Sequence, residues 1–169
     1  FSNSPIGAMK GWNHSIHLWL NRYVQDRLVK VGQKVSLRET IIVFLVSAFW
    51  HGFYPFYYVM FFYSGIFVEL AKEVYRMRIL FRWIPAPLDF WLPWACTMLT
   101  LNYFGVSFNQ LTFEKGALFA QGTYYWVWLL LPVLLAAVKL SGVVKYAKKL
   151  EAAEKAKKVT ANGESKKQK

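Results

Sequence analysis

The feature that most limits what this chain can fold into is an apolar run from Thr40 to Leu70. It carries a histidine near its middle and helix-breaking residues beside it. Within Ser47-Ala-Phe-Trp-His-Gly-Phe-Tyr-Pro-Phe-Tyr-Tyr58, His51 is followed by Gly52 and Pro55. Glycine and proline together interrupt a helix. In lipid, interrupted backbone persists only where it is buried in protein or lines a wet cavity. An ionisable side chain at membrane depth is costly and is a functional candidate for that reason. A neutral imidazole is also the side chain best suited to accept a proton near pH 7. The run therefore predicts a buried polar chamber with His51 in its wall. The plainer alternative is a histidine that hydrogen-bonds a neighbouring helix and steadies packing. The residues alone do not separate the two. Glu69 ends the run, and it and Glu73 are expected at the membrane surface.

Composition agrees with a membrane setting. Of 169 residues, 56% are hydrophobic and 19% aromatic. Trp and Tyr are enriched at membrane interfaces. The net charge of +12 would suggest nucleic acid in a soluble protein. Here the bases flank apolar segments and no recognition motif accompanies them, so they read as membrane-orienting charge and no nucleic-acid partner is expected. The single cysteine, Cys96, rules out an intrachain disulfide. The chain starts at Phe1 and is read as a piece of a longer protein.

The predicted fold class is all-α: a polytopic integral membrane helical protein, itself a fragment of a larger multi-span bundle. Residues 1–138 form its membrane part and 139–169 a cytosolic basic tail. After a polar loop, Trp12, Ile16, Trp19, Leu20, Tyr23, Val24 and Leu28 recur at helical spacing. With Arg22, Arg27, Lys30, Lys34 and Arg38 they predict a basic interfacial helix over 12–31. Asp26 and Lys30 would pair at i,i+4 if that helix is regular. The apolar segments are 40–52, 53–70, 88–108 and 116–138. The first is about 20 Å long as a helix, too short for a bilayer core of about 30 Å. Segments 40–52 and 53–70 are either one broken span or two short helices. Pro93 and Pro132 are expected kinks.

The tail from Lys139 holds ten lysines against three glutamates. Glu151–Lys155 and Glu154–Lys158 pairs support a helix in its first half, and beyond Thr160 it is expected to be disordered. The positive-inside rule puts this tail in the cytosol. The basic loop 72–82, two spans earlier, then falls on the same side. Lys166-Lys167-Gln168-Lys169 resembles a dilysine retrieval signal, read by coat proteins and returning membrane proteins to the endoplasmic reticulum.

Two polar clusters remain: Trp12-Asn13-His14-Ser15-Ile16-His17, and Ser47 to Tyr58. Trp12-Asn13, then Trp19-Leu20, Tyr23-Val24 and Arg27, followed by Ser47 to Gly52, Pro55 and Tyr57-Tyr58, resembles the membrane-bound O-acyltransferase family. The resemblance runs from about Trp12 to Trp126 and covers the C-terminal part of such an enzyme. Asn102-Tyr103 to Phe108, Leu111, Phe113 and Tyr124-Tyr125 look like its lysophospholipid acyltransferase branch. Gln25 stands where an aromatic is common and Phe56 where a glycine is common.

The resemblance implies acyl transfer from acyl-CoA, a co-substrate rather than a bound cofactor, to the free hydroxyl of a lysophospholipid. It matches Asn13 and His51 to the two signature active-site positions. His51 would be the general base for the acceptor hydroxyl. Asn13, with both an amide donor and a carbonyl acceptor, would orient the acyl donor or steady developing negative charge. Direct transfer is expected, since Ser47 one turn before His51 would point its hydroxyl at backbone. Trp12, Arg22, Arg27, Trp50 and Tyr57 are candidate substrate-binding residues, the arginines toward phosphate groups. Each has a plain reading as packing aromatic or solvated charge. The implied partners are acyl-CoA, lysophospholipid and membrane lipids, in the endoplasmic reticulum. The alternatives are a related enzyme acting on a sterol, diacylglycerol or peptide, and a non-catalytic polytopic membrane protein. His14 and His17 read as polar interface residues: three histidines, one of them far off, do not make a usual ligand set, and no metal is expected.

Overall fold

The structure, a computed structural model, describes residues 4, 7–8, 11 and 13–167, with side chains through 157 and at 159. Regular structure among the described residues is helical. It opens with α1 (His14–Leu20), a π-helical stretch Asn21–Gln25 and a short α2 (Asp26–Leu28). The predicted helix over 12–31 is therefore broken in register and ends earlier. Val29 is already extended, at φ −109° and ψ 124°. The Asp26–Lys30 pair needs a regular helix through Lys30, and the chain has left the helix by then.

α3 (Leu37–His51) starts three residues before the expected Thr40. Ser36-Leu37-Arg38-Glu39 forms a capping box that supplies the orphan groups of the first turn. The Ser36 backbone N–H donates to Glu39 Oε2 at 2.9 Å, and the Ser36 hydroxyl bonds the same carboxylate. Ser36 thereby holds the Glu39 carboxyl below its ordinary value. The carboxylate's contribution is complete above the unfolded-state pKa and is lost as pH falls through the lowered folded value.

α4 (Pro55–Arg76) returns antiparallel to α3. The register is fixed at several points. Near one end Lys72 Nζ donates to Thr40 Oγ1 at 3.1 Å. Midway, Gly65 lets α3 approach closely, since a Cβ there would lie 3.4 Å from side-chain atoms of Ile41 and Phe44. At the other end His51 meets Tyr57 and Phe61. Residues 40–70 are thus two helices folded into a hairpin, not one broken span. The hairpin has a tip, at His51 to Pro55, and a base, at Thr40 and Lys72.

A 3-10 turn (Arg78–Phe81) at the base leads to α5 (Ala86–Phe108), which runs to the tip beside α4. Phe104 packs on Phe67, and Phe108 on Tyr57. α5 continues through Pro93. Segment 116–138 is not one helix. It divides into α6 (Phe113–Gly122) and α7 (Trp126–Leu140), bent by 79°. Tyr124 and Tyr125 take positive φ of 52° and 51°. The Tyr125 N–H closes onto the Ala120 carbonyl at 2.8 Å, a helix-stop geometry that redirects the chain. α7 then descends to the base, where Lys139 Nζ lies 3.7 Å from Glu69 Oε1. Among the described residues no single helix is long and apolar enough to cross a membrane by itself, whereas the bent pair α6–α7 is, by length and composition.

The core lies between α4, α5 and α7 around Trp128, whose ring meets those of Phe56, Tyr63, Tyr103 and Phe104 at 4.7 to 6.1 Å. Glu69 and Glu73 are buried, at 3% and 7% exposure. Glu69 is buried because two lysines reach it, Lys72 at 3.2 Å and Lys139 at 3.7 Å. Glu73 is buried with Arg76 at 2.6 Å.

The tail is also corrected. α8 (Val143–Lys167) is helical past Thr160, where disorder was expected. Up to Lys158 its alanines, lysines and glutamates are strong helix formers. Lys155 pairs with Glu151 at 2.6 Å, and Arg82 reaches Glu154 at 2.5 Å. Ala147 is fully buried. The side chains of Lys158 and of the dilysine-like end lie outside those described.

At Gly116 on α6 an added Cβ would fall 2.2 Å from the ring of Phe56. Gly116→Ala is expected to lower the stability of the complete protein by about 1–3 kcal/mol, the usual cost of overpacking. Phe56→Leu in the same chain should recover part of it. Thermal unfolding of the two single variants and the double variant checks this, and strict additivity would show that the two positions do not touch.

Candidate active site

His51 is the last residue of α3. The backbone leaves the helix at Gly52, with φ 128° and ψ −179°, a conformation essentially reserved for glycine. The Gly52 N–H still donates to the carbonyls of Ala48 and Phe49, both at 3.2 Å. Three residues later Pro55 opens α4 at a position where its missing N–H costs nothing. The chain reverses within Gly52-Phe53-Tyr54, and His51 sits on the edge of that turn.

Three rings fix the imidazole. Phe61 stacks on it at 5.0 Å between centroids. Phe108, from the end of α5, meets it edge-on at 5.4 Å, and Tyr57 at 6.4 Å. Tyr57 and Phe108 lie nearly parallel, 4.3 Å apart. His51 nonetheless remains exposed. Its described ring neighbours are aromatic, and one side of the residue is open. Aromatic contacts orient the ring without consuming its nitrogens, so proton exchange at the imidazole stays available to an incoming hydroxyl.

The helix that carries Asn13 is docked on α3. Trp19 of α1 packs edge-on against Trp50, the neighbour of His51, at 5.4 Å. Asn13 caps the start of α1, six residues or about 9 Å along the helix from Trp19. It takes a left-handed conformation, φ 51° and ψ 55°, with no side-chain cap hydrogen bond. Asparagine is among the few residues that adopt this conformation readily, and the side chain is left exposed rather than folded onto the helix end.

The remaining candidates separate. Trp50 is 58% exposed, and Tyr57 is buried against Phe108. Arg22 lies in the π-helical stretch and Arg27 in α2, both exposed. π-helical turns recur at functional sites because they shift side-chain register locally. Trp12 lies outside the described residues. His17 shares a hydrogen bond between its Nε2 and the Asn21 amide at 3.1 Å. Among the described residues no three His, Cys, Asp or Glu side chains gather as a metal site would require. Sequence reasoning did not find Phe61 and Phe108. Phe61 was reachable, one helical turn beyond Tyr57, but Phe108 joins the site only through tertiary packing.

The model of the membrane-bound O-acyltransferase family matches residues 2–112. The chain is 34% identical over 142 residues to lysophospholipid acyltransferase 1 of Arabidopsis thaliana, covering 79% of the chain and 29% of that protein. It is 31% identical over 137 residues to membrane-bound glycerophospholipid O-acyltransferase 2 of Homo sapiens, covering 78% and 25%. It is also 38% identical over 68 residues to the lysophospholipid acyltransferase of Saccharomyces cerevisiae, covering 40% and 11%. The chain spans about a quarter of the length of the first two relatives.

The glycine-only backbone at position 52 gives a direct test. Gly52→Ala should cost the complete protein about 1–3 kcal/mol of stability, seen as a lower midpoint in thermal unfolding, and an unchanged midpoint would show that the turn does not need a positive φ. Both matching segments, the Asn13 helix and the His51 hairpin tip, lie within the region that the family model covers, and the chain belongs to the membrane-bound O-acyltransferase family.

Proposed function

We propose that the complete protein moves a fatty acyl group from acyl-CoA to the free hydroxyl of a lysophospholipid. The observation that carries this is an exposed imidazole held by three rings at a hairpin tip, against which the Asn13-bearing helix is packed through Trp19 and Trp50. A nitrogen of His51 accepts the acceptor's hydroxyl proton as the oxygen attacks the thioester carbonyl. The tetrahedral intermediate collapses, the carbon–sulfur bond breaks, and the coenzyme A thiolate leaves with the proton from His51. Asn13 orients the acyl donor or stabilises the oxyanion. Arg22 and Arg27 are the candidates for phosphate groups on either substrate. The names of the relatives, lysophospholipid acyltransferases, support a lysophospholipid acceptor over a neutral lipid.

We place the enzyme in the endoplasmic reticulum with its C-terminus cytosolic. The Arg82–Glu154 pair supports the shared sidedness of loop 72–82 and tail, because it joins them directly. Positive charge on both then favours the cytosol.

The test is acyl transfer in microsomes carrying the complete protein, with labelled oleoyl-CoA and a panel of lysophospholipids, a sterol and diacylglycerol. His51→Ala should lower labelling of phospholipid by about 10²–10⁴-fold, the usual worth of a general base. Asn13→Ala should lower it as well, with protein levels unchanged. Labelling of a neutral lipid would move the acceptor and keep the chemistry. Wild-type labelling by His51→Ala would end the assignment. Purified residues 1–169 alone are expected to show no turnover, and measurable transfer by them would overturn that expectation.

A further inference from the structure

An open groove of about 280 Å3 runs along the face that α3, α4 and α7 share. Ile41 of α3, Phe62 and Ile66 of α4, and Pro132 and Ala136 of α7 line it, and Lys139 is the one charged residue in its wall. Lys139 stands at the base end. Pro132, seven residues along α7, lies about 10 Å nearer the tip. The charge of Lys139 is not cancelled. It shares the single carboxylate of Glu69 with Lys72, and Lys72 is the nearer of the two, at 3.2 Å against 3.7 Å. Lys72 is also tied to Thr40 Oγ1 at 3.1 Å. Two ammonium groups against one carboxylate leave one positive charge in surplus, and the Lys139 side chain is the more exposed, at 39% against 27%. The nearby charges add nothing to the sum: Arg38 pairs with Glu39 at 3.3 Å, and Arg76 with Glu73 at 2.6 Å.

We infer that this groove binds a long-chain fatty acid, with its alkyl chain along Ile41, Ile66 and Ala136 and its carboxylate on Lys139. An apolar trough that ends in one surplus ammonium matches an apolar chain that ends in one negative charge. The volume lies at the small end of ligand pockets, about 300 Å3, which suits a single chain and not the two of a diacyl lipid. No arginine lines the groove, so the planar fork that grips phosphate is missing from its wall. A neutral lipid would leave the surplus charge unanswered, and a choline headgroup would bring a second cation to it. The chain has a source in the bilayer, because α7 belongs to the bent pair that is apolar enough to cross one. The site is separate from the acyl-transfer tip: Glu69 is twelve residues along α4 from Tyr57, about 18 Å. The inference does not depend on the acyl-transfer reading, because its measurement involves no turnover.

Detergent-solubilised complete protein would be incubated with a palmitate that carries a mid-chain diazirine and then irradiated. Labelled peptides are mapped by mass spectrometry. Adducts should fall within residues 62–66 and 132–136. Excess palmitate should remove them, whereas hexadecanol, lysophosphatidylcholine and palmitoyl-CoA should not. Lys139→Gln should cut the labelling about fivefold, the usual worth of one basic side chain facing an anionic lipid head. Lys139→Arg should keep it. Glu69 retains Lys72 in both variants. Ala136→Phe fills the groove from an exposed position and should abolish the labelling with the charge intact, so the test stands if one of the two kinds of variant does not fold. Adducts confined to other segments, full labelling of folded Lys139→Gln or Ala136→Phe protein, or competition by hexadecanol, lysophosphatidylcholine or palmitoyl-CoA as strong as that by palmitate would each overturn the inference.

Discussion

The reversal of the backbone at Gly52 is the constraint on which the other arrangements rest. A chain that leaves a helix in a glycine-only conformation and re-enters one at a proline has to turn within a few residues. That turn makes α3 and α4 antiparallel, so Gly65 meets Ile41 and Phe44 and Lys72 meets Thr40. It also puts the last side chain of α3 at the tip, where Tyr57 and Phe61 of α4 are one and two helical turns away and Phe108 arrives from α5. The position of His51 is thus a consequence of where the helix stops. A histidine one residue earlier would project from another side of α3, about 100° around the helix axis.

At the opposite end the cohesive element is ionic. Glu69 is buried with Lys72 from its own helix and Lys139 from α7, while Lys72 also reaches Thr40 on α3. Removing one member of such a group leaves an uncompensated buried charge, typically at a cost of about 3–5 kcal/mol. Much of that magnitude applies to Glu69, whose side chain is 4% exposed, and less to Lys72 and Lys139, which water reaches at 27% and 39%. The group fixes three helices at one level of the molecule. The tip is held by rings and the base by charge, and α8 closes the base through Arg82 and Glu154.

The legible part of this structure in the sequence is the part with local causes. His51, Gly52 and Pro55 announce a helix stop and restart within five residues, whereas the capping box at Ser36-Leu37-Arg38-Glu39 that starts α3 was passed over for Thr40. The π-helical stretch left no trace in the spacing of Trp19, Leu20, Tyr23 and Val24, since those positions fit a regular helix as well. Burial of Glu69 was illegible because its second partner, Lys139, lies seventy residues away. The bend between α6 and α7 was hidden for a similar reason. A run of twenty-three residues without a charge beyond Gly116 reads as one span, and only the backbone at Thr123 to Tyr125 shows that it is two helices. His51 was singled out by its place in the apolar run and Asn13 by motif resemblance. The α1 helix that carries Asn13 meets α3 through Trp19 and Trp50, a contact no local pattern encodes.

The departure at Phe56, where the resemblance leads one to expect glycine, has a physical account in the same packing. Phe56 is buried at 4% exposure, with its ring against Gly116 and Trp128. The large side chain on α4 is accommodated by the absence of one on α6, so the volume at the contact is conserved between two elements rather than at one position. Phe56 faces α6 and α7, whereas its neighbour Tyr57 faces Phe108 and His51. Adjacent residues on a helix diverge by about 100°, so the added ring thickens the wall behind the site and leaves the open side of His51 unfilled. What the substitution fixes is the docking of α6 beside the hairpin tip, and through it the direction in which α7 sets out toward Glu69.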